Sequence, residues 1–292
     1  MERDFLTKII LILLALAGFY FLFVLLKDSS REIKSIKLRE KKNSVTAVSG
    51  FISNFFDALG IGSFATLTAF IKTFKLTNDR VLPGTLNVAC TIPTIFEAFI
   101  FVKSVKVSPI TLVSMIIAAI LGATIGATFV SKFNERRIQI IMGIALFIVA
   151  IIMLLSQIGL FPVGGDSVGL VGYKLIIAII VNFILGALMM VGIGLYAPCM
   201  ALIFALGMSP RVAFPIMMGS CAFLMPVASI KFIKEEAYDK KASLIIAFFG
   251  SIGVLIAGLV VKSLPLYILI WLVIGVVFYT SFSMFKSYLN NK

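Results

Sequence analysis

The sequence predicts an all-α polytopic membrane protein, and three observations carry that reading. Of 292 residues, 61% are hydrophobic and only 13% charged, with a mean hydropathy of +1.13; a soluble domain is about half apolar and about a quarter charged. The apolar residues run in stretches long enough for helices to cross a bilayer, without the roughly ten-residue alternation of a membrane barrel strand. The basic residues, which give a net charge of +13, lie mostly between those stretches. That is the pattern of membrane loops rather than of a nucleic-acid surface.

Nine apolar segments follow in order: 5–26, 45–70, 81–102, 109–131, 138–158, 174–206, 212–230, 242–261 and 265–286. The first is longer than the apolar core of a signal peptide and lacks a small-x-small cleavage site after it. Lys27-Asp28-Ser29-Ser30-Arg31 closes it with charge, so it reads as a retained transmembrane helix. Lys27 to Ser44 is a basic linker. In it Ile33, Ile36 and Leu38 either line a short helix in the headgroup region or sit in a plain charged connection.

Two segments are interrupted near their middle. One break runs from Asn54 to Ser63 through Gly60-Ile61-Gly62; the other runs from Met189 to Pro198 through Gly192-Ile193-Gly194. Paired glycines loosen a helix, and proline removes a backbone donor. Such breaks survive at membrane depth only when buried in protein or lining a wet cavity.

The breaks belong to an internal repeat. Gly60-Ile61-Gly62 matches Gly192-Ile193-Gly194, and Arg80-Val81 with Cys90 matches Arg211-Val212 with Cys221 at almost the same spacing. A proline follows each Arg-Val pair (Pro83, Pro215), and Gly122 and Gly143 pair with Gly253 and Gly275. The expected plan is residues 1–44 as an N-terminal transmembrane helix and basic cytoplasmic linker, a first repeat at 45–158, and an inter-repeat loop at 159–173. A second four-segment repeat follows at 174–286, then a cytoplasmic tail at 287–292.

Segments 45–70 and 174–206 either cross fully or are re-entrant. Re-entrant hairpins place a larger excess of Lys and Arg on the cytoplasmic side and invert the two halves, as in many secondary transporters. That arrangement is preferred, with full crossing left open. Both put Lys27–Ser44, Lys231–Lys241 and the C-terminus in the cytoplasm.

A duplicated core with a Gly-x-Gly break in the first segment of each half, and a Pro and small polar residue opening the next, resembles the sulfite exporter (TauE/SafE) family of membrane anion permeases. The resemblance covers about 45–286 and rests on Gly60, Gly62, Gly192, Gly194, Pro198 and the Pro215–Ser220 stretch. The glycine run is reduced to Gly-Ile-Gly in both halves, and Ala65-Thr66 stands where the second half has a proline nearby. The resemblance implies a permease in a bacterial inner membrane.

Elementary electrostatics points the same way. A half-helix that starts after a glycine break turns free N–H groups and a positive dipole end toward the cavity. Ser63, Thr66 and Tyr196 would add hydroxyls beside the two ends. Thr85, Asn87 and Thr91 in the first half, and Ser220 in the second, are small polar residues within apolar helices. They read either as a polar lining or as helix-packing residues.

Asp57 and Glu97 are the acids expected within the membrane, where ionised groups are costly and functional by default. Either is a candidate to carry a proton coupled to anion movement; a helix cap or interfacial position is the competing reading. Arg80 and Arg211 sit at equivalent helix starts as headgroup anchors or anion attractors. Cys90 and Cys221 are packing residues or, less simply, sulfur-handling thiols.

The chain has no histidine and no Cys-x-x-Cys pair, which argues against zinc, haem-type and His-relay chemistry. No Walker-type loop is present, so no ATP hydrolysis is expected. Neither metal nor cofactor is expected, and the chain does not read as an enzyme. The expected activity is secondary transport of a small anion, sulfite or a related sulfur oxyanion or organosulfonate, by alternating access. A permease for a carboxylate or other small organic metabolite is the alternative, and a non-transport membrane subunit is a third. The expected partners are that anion and the lipid bilayer of the cell membrane, with a homodimer allowed and no nucleic acid.

Overall fold

The computed structural model describes residues 2–101, 107–160, 164–260 and 266–291, and among them it has twelve α-helices and no named strand. The first apolar segment is one helix, α1 (Glu2–Asp28). The linker opens with a single turn, α2 (Ser30–Ile33), which takes in Ile33 but not Ile36 or Leu38. The segment 45–70 is two helices, α3 (Lys41–Ala58) and α4 (Ser63–Phe74). After a 3-10 turn (Asp79–Val81) come α5 (Leu82–Phe101), α6 (Pro109–Val130) and α7 (Glu135–Gln157). The segment 174–206 is again two helices, α8 (Gly172–Met189) and α9 (Tyr196–Ala205). The chain ends with α10 (Pro210–Lys234), α11 (Lys240–Val260) and α12 (Leu266–Asn290). The last residues of the expected segments 81–102 and 242–261, the first of 265–286, and parts of the 159–173 loop and the 287–292 tail lie outside the described residues.

Both breaks need glycine for its backbone freedom. Gly60, Gly62 and Gly192 have φ of 83°, 94° and 98°, a region costly for any residue with a Cβ. Gly194 has no such φ, so the second break turns on one glycine instead of two.

Each broken segment is a hairpin with both arms at one end of the bundle. At the start of α3, Glu40 pairs with Lys241 at 3.4 Å; just past α4, Thr77 donates to Asp239 at 2.9 Å. Those two partners are near neighbours at the start of α11, so the chain enters and leaves at the same end. Lys72, Asp79, Gln139 and Ser287 join there in one hydrogen-bonded group. For the second hairpin, Lys174 near the start of α8 donates to the Leu206 carbonyl just past α9 at 3.2 Å. Met208 bridges Ser167 in the loop before α8. That loop also receives Ser108 at the start of α6, which places it at the opposite end from α11's start. The two hairpins therefore enter from opposite ends.

Helix pairing follows the same exchange. α3 packs on α11 as α8 packs on α6, and α5 packs on α11 as α10 packs on α6; α5 meets α10, and α7 meets α12. The glycines make the first pairing close. A Cβ on Gly122 of α6 would strike the Phe183 carbonyl of α8; one on Gly253 of α11 would strike the Phe51 carbonyl of α3. In lipid, where burial of apolar surface gives helices no preference for one another, such backbone contact supplies much of the association.

Seven of the described helices are long and apolar enough to cross a membrane: α1, α6, α7, α8, α10, α11 and α12. α8 qualifies by length and composition, yet it is one arm of a hairpin. α5, of 20 residues, runs from the Asp79 end to the opposite end, where Ile100 meets Gly258 near the end of α11.

Candidate functional site

The breaks converge on one small cavity. It is lined by Asp57, Gly62, Ser63 and Phe64 from the first hairpin, and by Met189, Gly194, Leu195 and Tyr196 from the second. Thr94 of α5 and Cys221 of α10 complete the wall. Its volume is about 10 Å³, near the minimum for one water. The hairpin tips are thus shut against each other, and an ion of several atoms requires them to part.

The two helix ends differ. Asp57, at the last turn of α3, reaches across the break to the start of α4. Its Oδ1 accepts from the Ser63 backbone N–H at 2.8 Å and its Oδ2 from the Ser63 hydroxyl at 2.6 Å. A carboxylate at a helix N-terminus is well placed against the dipole. The first half-helix end therefore already holds an anion, and it is the chain's own. The start of α9 has no side-chain cap. At the offset that aligns Gly60-Ile61-Gly62 with Gly192-Ile193-Gly194, Met189 falls at the position of Asp57 and Leu195 at that of Ser63. In the first turn of α9, Pro198 has no N–H and the Cys199 N–H is bonded to the Leu195 carbonyl, so the Tyr196 and Ala197 N–H groups are the ones without a side-chain cap.

A second acid joins from α5. The Tyr196 hydroxyl donates to Glu97 Oε2 at 2.7 Å, and Glu97 Oε1 is buried without a hydrogen-bond partner. Asp57 and Glu97 lie within electrostatic range of each other. Among the described residues no Lys or Arg lines the cavity. Cys221 is there too, its thiol 3.7 Å from the Met189 sulfur, and Cys90, Cys199 and Cys221 are all buried and free.

Of the residues singled out in the sequence, Asp57, Gly62, Ser63, Gly194, Tyr196 and Cys221 line this cavity, Glu97 reaches it through Tyr196, and Gly192 lies in the second break without lining it. Gly60 sits in the first break but lines a neighbouring apolar pocket with Ala197 and Phe214. Thr66 caps back onto its own helix at the Ser63 carbonyl, and Pro198 lies in the first turn of α9. Four others lie elsewhere. Thr85 accepts from Asp239 N–H at the α10–α11 loop; Asn87 donates to the Pro83 carbonyl. Thr91 shares a hydrogen bond with Ser229 where α5 crosses α10, and Ser220 accepts from Asn182 of α8. Arg80 and Arg211 are exposed at helix starts, at opposite ends.

Thr94 and Met189 did not stand out in the sequence. Thr94 lies three residues after Thr91 and three before Glu97, a spacing that puts all three along one helix face. Met189 is as far before its Gly-Ile-Gly run as Asp57 is before the first. Either signal was available.

Crossing helices with lipid-facing apolar surfaces, folded around two interrupted hairpins, define a multi-pass integral membrane protein. The chain belongs to the sulfite exporter TauE/SafE family, whose sequence profile matches residues 1–153. This is a family of membrane permeases and exporters. The match takes in α1 and the linker, which the motifs alone had left outside the resemblance, and ends before the second half. No curated protein and no solved structure matches the chain significantly.

Proposed function

We propose that the protein is a secondary transporter of a small anion, sulfite or a related sulfur oxyanion or organosulfonate. In this reading the substrate binds at the uncapped start of α9, beside Gly194 and Tyr196. Asp57 and Glu97 carry the coupled protons. Alternating access comes from two inverted halves rocking about the hairpin tips, with the α10–α11 loop, the linker and the C-terminus on the cytoplasmic side of the cell membrane. A single chain supplies the cavity; a homodimer is compatible but not required.

The observation that carries this reading is the charge balance of the cavity. It has an uncapped helix start, suited to an anion, one lining carboxyl in Asp57 and a second in Glu97 joined through Tyr196, and no Lys or Arg among the described lining residues. Two carboxylates repel an anion, whereas two protonated carboxyls do not and can donate to it. Anion movement accompanied by protons follows from that.

The test is uptake of labelled sulfite into proteoliposomes, against sulfate, an organosulfonate and a carboxylate, with and without an imposed pH gradient. Sulfite or sulfonate flux that responds to the gradient is the expected result. Carboxylate flux alone would transfer the site to the alternative substrate class. Flux indifferent to the gradient would remove the proton role.

A further inference from the structure

A large apolar groove lies away from the hairpin tips. It lies between α1, α5 and α11, has a volume of about 530 Å³, and is lined by Leu25, Ile36, Phe96, Leu244, Phe248 and Leu255 among others. Its one lining hydroxyl, Ser251, is spent on the Ala247 carbonyl.

Its length fits one lipid leaflet. Leu244 lies four residues into α11 and Leu255 eleven further on, a rise of about 16 Å at 1.5 Å per residue. Half of a bilayer's hydrocarbon core is about 15 Å. The groove begins at the end of the bundle where the linker lies, since Ile33 and Ile36 form part of its wall.

The stretch that supplies this end of the wall is rich in cations. Lys27, Arg31, Lys34 and Lys37 alternate along it with the lining residues Leu26, Ile33 and Ile36; all four are exposed, and none forms an ion pair among the described residues. Two of the linker's three acids are paired with lysines at the start of α11, and Glu32 is a single charge against the four cations. Asp28 binds Lys240 at 3.0 Å and accepts from Tyr238; Glu40 binds Lys241 and Asn43; Glu32 accepts from Ser35. An apolar slot one leaflet deep, capped by unpaired cations, matches an anionic lipid in shape and charge.

We infer that this groove is a binding site for one anionic phospholipid, an acyl chain lying along α11 between α1 and α5 and the phosphate held by the linker cations. The inference is independent of the transported substrate.

The experiment is native mass spectrometry of the purified full chain titrated with phosphatidylglycerol or phosphatidylcholine. One saturable phosphatidylglycerol is expected, held more tightly than phosphatidylcholine. Each cation replaced among Lys27→Gln, Arg31→Gln, Lys34→Gln and Lys37→Gln should weaken phosphatidylglycerol roughly fivefold, leaving phosphatidylcholine unchanged. Ala247→Phe, which fills the groove, should lower retention of both lipids. A thermal melt and circular dichroism of each variant separate loss of the site from loss of fold. Equal binding of the two lipids, or binding with no saturable stoichiometry that all these well-folded variants retain, would overturn the inference.

Discussion

Asp57 and Ser63 are six residues apart yet joined by two hydrogen bonds, of 2.8 and 2.6 Å, across a glycine break. The pair fixes the angle between α3 and α4 and fills a helix N-terminus with an internal carboxylate. The start of α9 has nothing comparable.

Asp57→Asn keeps an acceptor for the Ser63 N–H but turns a donor toward its hydroxyl unless the amide reorients. The variant should fold and should lose the response of flux to a pH gradient. Asp57→Ala, which removes the cap, should in addition cost about 1–2 kcal/mol of stability. Proteoliposome flux with a thermal melt reads both. Full flux with unchanged pH dependence in Asp57→Asn would remove Asp57 from the coupling.

Tyr196→Phe leaves both oxygens of buried Glu97 without a partner. It should cost about 1–3 kcal/mol, seen as a lower midpoint in a thermal melt. Tyr196→Phe combined with Glu97→Leu removes the stranded carboxyl as well and should recover part of that loss. An additive double-variant cycle would show that the two side chains act separately.

The two glycines of the second break should respond differently. A Cβ at Gly192 meets Met142 Cε at 2.7 Å, and the residue has φ of 98°. Gly192→Ala should lose about 1–3 kcal/mol through backbone strain, and flux with it. A Cβ at Gly194 meets nothing nearer than Phe64 Cβ at 3.9 Å, so Gly194→Ala should melt like the parent.

Lys72 and Asp79 form a largely buried ion pair of 2.6 Å, joined by Gln139 and Ser287. Replacing one partner strands the other charge, so Lys72→Met should cost about 3–5 kcal/mol. Lys72→Met with Asp79→Asn should cost less. Thermal melts of the three variants decide.

Tyr238 lies outside the spanning helices, its phenol pushed up by burial and by its bond to the Asp28 carboxylate. A raised pKa means the protonated form is favoured in the fold. The stabilisation is complete below the ordinary phenol value of 10.0 and is lost as pH climbs through the raised one. Tyr238→Phe should therefore lower the melting midpoint at neutral pH and narrow its difference from the parent in strong alkali. A difference constant across that range would exclude the phenol as the titrating group.

Much of the architecture was written in the composition and punctuation of the chain. Apolar segments between basic loops could only be membrane helices, because no aqueous core holds that much hydrophobic surface. Gly60, Gly62 and Gly192 marked the breaks because only glycine adopts their backbone at no cost, and the recurrence of that punctuation pointed to two related halves. Asp57 and Glu97 stood out because ionisable groups are rare within apolar spans.

Which polar residues share a cavity was settled only by tertiary packing. Thr85, Asn87, Thr91 and Ser220 look from the sequence like Ser63 and Tyr196, small polar groups in apolar helices. Whether such a group faces a cavity or a neighbouring backbone depends on the rotation of each helix against its partners. Re-entry of the hairpins was likewise undecided by hydropathy, since an interrupted apolar segment is equally long whether it crosses or turns back. Long-range contacts such as Thr77 to Asp239 and Lys174 to Leu206 decided it. The asymmetry of the two helix ends was a tertiary matter too: the sequence shows an acid before one break and a methionine before the other, but only folding brings that acid onto the end of α4 and leaves the end of α9 bare.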